Sequence, residues 1–348
     1  MDITFFNKIT LKEKAFFAEQ IGTMIQSGLH LTQAIQVMES QTKKQFFKSV
    51  LSSVRSNVES GKMFSESLAS HPEIFDRVFI NMIKAGEASG KLDETLLDLS
   101  KQISRQSGFV SKIKGAMAYP IFILIIMLAV AIFTTVKIIP SLTEVFKESN
   151  VKLPITTVFI MKFSDFIINY WYILILIIIA IILGIRFYLK TEEGRRQFDN
   201  LLTREPTGLA NKIYMARFTR TLGSLIKGGI PIIEAVDIVS ETINNVIIED
   251  SLKNVARELE KGVPMSLPIS RDPNFPPFLT QMLIVGEQTG RLDQVMLSMA
   301  DYFEEDADNN IKNVSTLFEP VIIVIIGVGV AFMVFSIIMP IYSISQGS

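Results

Sequence analysis

Apolar residues recur at intervals of three and four along two long parts of the chain, the spacing that gathers them on one side of a helix. Phe17, Ile21, Met24 and Ile25 form one such stripe, and Leu92, Leu96, Leu99 and Ile103 form another. Far downstream, Phe218, Leu222, Leu225 and Ile226 repeat the first stripe, while Leu292, Met296, Met299 and Phe303 repeat the second. No sustained alternation of apolar and polar positions competes outside the longer apolar runs, so these stretches predict helical bundles.

Three further runs are apolar on every side. Crossing a hydrocarbon layer roughly 30 Å thick takes about 20 helical residues. The first run lies between Lys114 and Lys137, with residues 121–132 as its apolar heart. The second lies between Asp165 and Arg186, and the third follows Glu319 and meets no further charge before Ser348. Basic residues are retained on the cytoplasmic side of a membrane. Lys101, Arg105, Lys112 and Lys114 precede the first run, and Arg186, Lys190, Arg195 and Arg196 follow the second, so both flanks read as cytoplasmic. The intervening loop carries Lys147, Lys152 and Lys162 against Glu144, Glu148 and Asp165 and reads as external. Tyr170, Trp171 and Tyr172 fit an aromatic belt at the outer interface. The approach to the third run is acidic, with Asp301, Glu304, Glu305, Asp306 and Asp308 against Lys312, and only alternation from the second run assigns its direction.

Self-comparison explains the recurring stripes, because the two large polar segments match at a shift of about 200 residues. Gly22, Gly28, Ala34 and Gly61 correspond to Gly223, Gly229, Ala235 and Gly262. One residue is then lost, after which Phe75, Met82, Gly86, Glu87, Gly90, Leu92 and Asp93 align with Phe275, Met282, Gly286, Glu287, Gly290, Leu292 and Asp293. The register holds into the apolar runs, where Pro120 meets Pro320 and Pro140 meets Pro340. The expected fold is therefore all-α: a polytopic membrane protein with two homologous cytoplasmic bundles of about six helices each and three transmembrane helices. The expected bounds are 1–114 for the first module, 115–139 for the first span, 140–165 for the external loop and 166–189 for the second span. Residues 190–318 form the second module, 319–341 the third span and 342–348 an external tail. Asp2, Lys8, Lys12, Glu13, Lys14 and Glu19 interrupt the N-terminal region, so no signal-peptide run is expected and the N-terminus is placed in the cytoplasm.

Composition narrows the function. Hydrophobic residues make up 49% and charged residues 20%, which excludes a disordered chain. A net charge of -1 without a basic face argues against a nucleic-acid partner. With no cysteine, disulfides, thiolate catalysis and Cys-ligated zinc are all excluded. Phosphate loops, H-E-x-x-H and G-x-S-x-G elbows are missing, and Gly223 to Gly229 resembles a phosphate loop but carries Lys227 ahead of the final glycines. His30 and His71 do not recur in the second copy, and the acidic run 301–308 lacks the spacing of a calcium loop and reads as a solvated helix face. No catalytic residue, cofactor or metal is expected.

The sharpest local signal is Gly86-Glu87-Ala88-Ser89-Gly90-Lys91-Leu92-Asp93, echoed by Gly286-Glu287-Gln288-Thr289-Gly290-Arg291-Leu292-Asp293. Gly90 and Gly290 suit a left-handed helix end, with Asp93 and Asp293 in the first turn of the next helix. The alternative is that Glu87 and Glu287 dock a partner or bind a cation. Gly22 and Gly223 sit inside helical patterns, where close helix contact would explain them, while Gly28 and Gly229 read as helix stops.

The duplicated module, the G-E-x-x-G-x-L-[DE] element, Pro120 and Pro320 and the three-span layout together resemble the F-protein of type II secretion systems and the related platform protein of type IV pili and competence pseudopili. The resemblance covers almost the whole chain. It implies a non-enzymatic inner-membrane platform that couples a separate hexameric assembly ATPase to the polymerisation of pilin or pseudopilin subunits, alongside other inner-membrane assembly components and further copies of itself. The two modules would face the ATPase, and the first and third spans the pilin helices. A permease subunit working with a cytoplasmic ATPase is the alternative from a different class.

Overall fold

The computed structural model describes residues 9–138, 169–170, 172–173, 176–177, 179–206 and 208–346. The expected external loop with its charged residues, Pro140, Trp171 and part of the second apolar run lie outside the described residues. Among the described residues the secondary structure is entirely helical.

The first repeat supplies α1 (Leu11–Gln26), α2 (Leu31–Gln41), α3 (Gln45–Glu59), α4 (Phe64–Ala69), α5 (Arg77–Ala88) and α6 (Leu92–Phe133), the last followed by a π-helical turn over Thr134–Ile138. Two helices with no counterpart in the first repeat come next: α7 (Ile179–Tyr188) and α8 (Glu192–Thr203). The second repeat supplies α9 (Leu209–Lys227), α10 (Ile232–Thr242), α11 (Val246–Glu260), α12 (Ser266–Arg271), α13 (Pro277–Thr289) and α14 (Leu292–Gln346). The duplication holds to the residue in several elements: α2 and α10 both have 11 residues, α3 and α11 both have 15, and α4 and α12 both have 6.

The helix stops fall where the glycines predicted them. At the end of α1 the Gly28 amide donates to the Ile25 carbonyl and the Leu29 amide to the Met24 carbonyl, with Gly28 at φ +92°. Gly229 repeats this at φ +87° after α9, with the Gly229 and Ile230 amides donating to the Ile226 and Leu225 carbonyls. A left-handed residue there lets two orphan carbonyls find donors, and a side chain would meet its own backbone.

The chain forms two compact units. One consists of Met1–Lys112 with Arg196–Asp308 and so contains both repeats. Phe17 and Phe218, at equivalent positions, are fully buried in it. The Phe17 ring lies 5.8 Å from that of Phe47 and 5.7 Å from that of Phe75, and Phe218 lies 5.8 Å from Phe275. Burial of each such ring contributes about 1.5–3 kcal/mol. Gly22 and Gly223 let the first helix of each repeat approach the last. A Cβ on Gly22 would sit 3.1 Å from Leu96 Cβ, and one on Gly223 would sit 3.0 Å from the equivalent Met296 Cβ. Asp199 of α8 is buried and accepts the Val246 amide at 2.8 Å, so α8 braces the start of α11.

The other unit consists of Ile113–Arg195 with Asn309–Ser348. Among the described residues one helix, Leu92–Val130, is long and apolar enough to cross a membrane, and only 6% of its most apolar window is buried. Phe122, Leu124, Ile125 and Leu128 are exposed there, an arrangement that water would oppose and lipid would favour. Ile179–Tyr188 and Ile322–Ala331 are shorter apolar helical stretches. Pro120 and Pro320 lie inside the continuous helices α6 and α14 and terminate neither.

Candidate functional site: the glutamate turn and the face between the repeats

The motif glutamates point inward. Glu87, in the last turn of α5, reaches 23 residues back to the start of α4, where its Oε1 accepts the Phe64 amide at 2.6 Å and its Oε2 accepts the Ser65 amide at 2.9 Å. Glu287 does the corresponding work in the second repeat, accepting the Ser266 amide at 3.3 Å and the Ser266 hydroxyl at 2.5 Å. Met63 and Met265, at the cap positions of these short helices, make no side-chain cap bond, so the amides find their acceptor on a distant helix. Each carboxylate is thus a long-range cap facing the positive end of a six-residue helix.

The remaining motif residues fall around that bond. Gly90 and Gly290 both have φ +68° and end α5 and α13. Leu92 and Leu292 begin α6 and α14, and Asp93 and Asp293 occupy their first turns. Gly86 does more than the turn required: a Cβ there would sit 2.6 Å from Thr95 Oγ1, and one on Gly286 would sit 3.0 Å from Leu292 Cδ1. Gly61 and Gly262 are left-handed helix stops at φ +93° and +81°. The stretch around Lys227 is the end of α9 and forms no phosphate-binding loop.

Charged side chains bring the repeats together. The Arg77 guanidinium of α5 pairs with Glu241 of α10, and Lys227 Nζ of α9 lies 2.5 Å from Asp98 Oδ2 of α6. Arg105 reaches Asp301 at 3.4 Å and Lys112 reaches Asp308 at 3.3 Å. Both pairs span 196 residues, so α6 and α14 run in the same direction there and keep a fixed register. Arg220 of α9, 8% exposed, holds Asp301 at 2.5 Å and Glu304 at 3.0 Å. Burial by itself would lower its pKa, but hydrogen bonds to Glu304 and Asp301 outweigh this and hold the guanidinium above the ordinary arginine value. The bond to Glu241 likewise raises Arg77.

These pairs correct the expectation of a merely solvated acidic face over 301–308. Asp301, Glu304, Asp306 and Asp308 all have basic partners, Asp306 at 2.9 Å from Lys212. They also account for the acidity ahead of the third apolar run, which charge bias alone left unexplained. Two cavities lie along the contact, about 560 Å³ and about 430 Å³ in volume, lined by α5 and α6 on one side and by α9, α10 or α14 on the other. Among the described residues no group of three or more His, Asp or Glu is arranged to hold a metal ion. His71 Nδ1 lies 3.4 Å from Glu73, and His30 caps α2 without a side-chain bond.

The profile of the family "Type II secretion system (T2SS), protein F" matches this sequence twice, over residues 17–140 and 218–340. The chain belongs to the type II secretion system protein F family. The two matches begin at Phe17 and Phe218 and end at Pro140 and Pro340, positions that pair in the internal repeat with the one-residue loss between them. Family relatives align over nearly the whole of this chain. A type IV pilus assembly protein PilC of Thermus thermophilus is 34% identical over 96% of this chain and 83% of its own length. A PilC of Myxococcus xanthus is 31% identical over 99% and 84%, and a type II secretion system protein F of Pseudomonas aeruginosa is 28% identical over 99% and 85%. Type II secretion and type IV pilus assembly are therefore the processes in which proteins similar to this chain take part.

Proposed function

We propose that this chain is the inner-membrane platform of a type IV pilus or type II secretion assembly machine, and that it couples a cytoplasmic assembly ATPase to the polymerisation of pilin or pseudopilin subunits. The observation that carries the reading is the double family match, which covers both repeats and the apolar runs that follow each. The relatives named for pilus assembly and for secretion support it.

The layout that fits is three crossings with both repeats on the cytoplasmic side and the N-terminus there too. Span one would be residues 115–139, span two 166–189 and span three 319–341, with 140–165 and 342–348 external. The basic flanks and the exposed apolar surface of α6 support this layout. The chain itself would do no chemistry. Its charged, paired repeats offer a docking scaffold, and the ATPase supplies the energy.

Cross-linking in native membranes tests the reading. Photoreactive side chains placed on exposed positions of either repeat should capture an ATPase, and those in the apolar runs should capture pilin-like subunits. Reconstituted vesicles holding this chain and an ATPase should show no substrate-stimulated flux. Such flux, without pilin capture, would replace the platform with a permease subunit.

A further inference from the structure

Helix α8 stands outside the duplication, and its two sides are the reverse of what water would select. Arg196 and Asp199 face the second repeat: Arg196 Nη2 lies 3.5 Å from Asp250 of α11, and the buried Asp199 carboxylate accepts the Val246 amide. Phe198 and Leu201, by contrast, are 44% and 69% exposed. At about 100° per residue, the polar pair and the apolar pair are centred about 160° apart around the helix. A helix with its polar side against protein and its apolar side outward needs a second apolar surface.

The chain itself says which surface is in reach. Only Leu189, Lys190 and Thr191 separate α8 from α7, which closes the second apolar run. An extended chain spans at most about 3.6 Å per residue, so Glu192 lies within about 15 Å of the end of α7. With α7 in hydrocarbon, that reach ends at the headgroup layer or just beyond it, where α8, about 18 Å long, begins. The charges suit an anionic surface. Arg186 and Lys190 precede the helix, Arg204 follows it and Arg195 edges the apolar pair, whereas Glu192 and Glu193 lie about 150° and 110° around the helix from that pair's centre.

We propose that α8 lies on the cytoplasmic leaflet, with Phe198 and Leu201 among the uppermost acyl carbons and its basic flanks on the phosphates of anionic lipids. Each side of the helix then has its occupant, lipid on one and the start of α11 on the other. Asp199 and Arg196 make α8 a strap between the second repeat and the lipid surface, a part for which the duplication supplies no equivalent. The inference rests on the layout in which residues 166–189 cross the membrane, and it does not depend on which machine the chain serves.

The cysteine-free sequence makes the test clean. The full chain is reconstituted in vesicles of phosphatidylcholine and phosphatidylglycerol, with a fluorophore on a single cysteine: Leu201→Cys in α8, Leu183→Cys in α7 or Arg257→Cys in α11. Lipids spin-labelled just below the headgroup or deep in the acyl chain serve as quenchers. The expected result is shallow quenching of Leu201→Cys, deep quenching of Leu183→Cys and neither for Arg257→Cys. Each basic residue near an anionic surface is worth about fivefold in binding, so Lys190→Ser with Arg204→Ser should shift α8 from docked to free by about 25-fold. Phe198→Glu should likewise cut the shallow quenching of Leu201→Cys, and neither change should alter the deep quenching of Leu183→Cys. Leu201→Cys no more quenched than Arg257→Cys, beside a deeply quenched Leu183→Cys, would overturn the lipid contact and leave the three-crossing layout standing. An unquenched Leu183→Cys would overturn both, and shallow quenching unchanged without phosphatidylglycerol would overturn the choice of anionic lipid.

Discussion

Truncating Glu87 tests the long-range cap. Glu87→Ala removes two charge-assisted bonds, at 2.6 and 2.9 Å, from the first amides of α4, a helix of six residues whose own cap residue supplies no acceptor. A hydrogen bond to a charged group contributes about 1.5–3 kcal/mol net, and a lost cap typically costs about 1 kcal/mol. The two bonds share one carboxylate, and the freed amides can recruit water, so the expected loss is about 2–3 kcal/mol instead of the full sum. Hydrogen exchange of the full chain in detergent reads this locally. At about 1.4 kcal/mol per tenfold, protection across 64–69 should fall about 30- to 150-fold. Glu87→Gln keeps one uncharged acceptor and should lose about 1 kcal/mol less. Protection that changes less than about threefold in α4, or falls equally through α5 and α6, would refute the cap as the role of this motif.

The second repeat should answer more weakly, because Glu287 makes one backbone bond at 3.3 Å and one to the Ser266 hydroxyl; Ser266→Ala with Glu287→Ala should be less than additive. Gly86→Ala would press a methyl group against Thr95 and should lower the thermal midpoint through about 1–3 kcal/mol of overpacking, part of which Thr95→Ala recovers. Asp98→Lys should weaken the contact between repeats by about 1 kcal/mol or less, since its pair is well exposed, and adding Lys227→Asp should restore it in a thermal double-mutant cycle. Glu13 offers a pH test. Burial would raise its pKa, but the Lys44 hydrogen bond and the Thr10 cap lower it, so its stabilisation is present above the unfolded carboxylate value and is lost as pH falls through the folded one. Protection factors at the start of α1, taken relative to the intrinsic exchange rate at each pH, should fall in acid, and Lys44→Met should remove most of that acid dependence.

Local features were legible in the sequence because their causes are local. Gly28 and Gly229 stop helices by their own backbone freedom, and the stripe beginning at Phe17 marks a buried face without reference to any partner. The pattern around Gly22 marks a contact site but does not name Leu96 as the residue it meets, since the pairing of α1 with α6 is a tertiary choice. The partners of Glu87 escape the sequence for the same reason: its oxygens accept from amides 23 and 22 residues away. The charges of Arg105, Lys112, Asp301 and Asp308 are plain in the sequence, yet their complementarity appears only once α6 and α14 are set in register. Spacing along one helix cannot give that register.

The central claim, that both repeats hang from the same side of one membrane, is tested most directly by mapping single cysteines. Arg55→Cys and Arg257→Cys, each in the otherwise cysteine-free chain, are offered an impermeant maleimide in intact spheroplasts and again after the membrane is opened. The account predicts labelling of both only after opening. Labelling of either site in intact spheroplasts would contradict it.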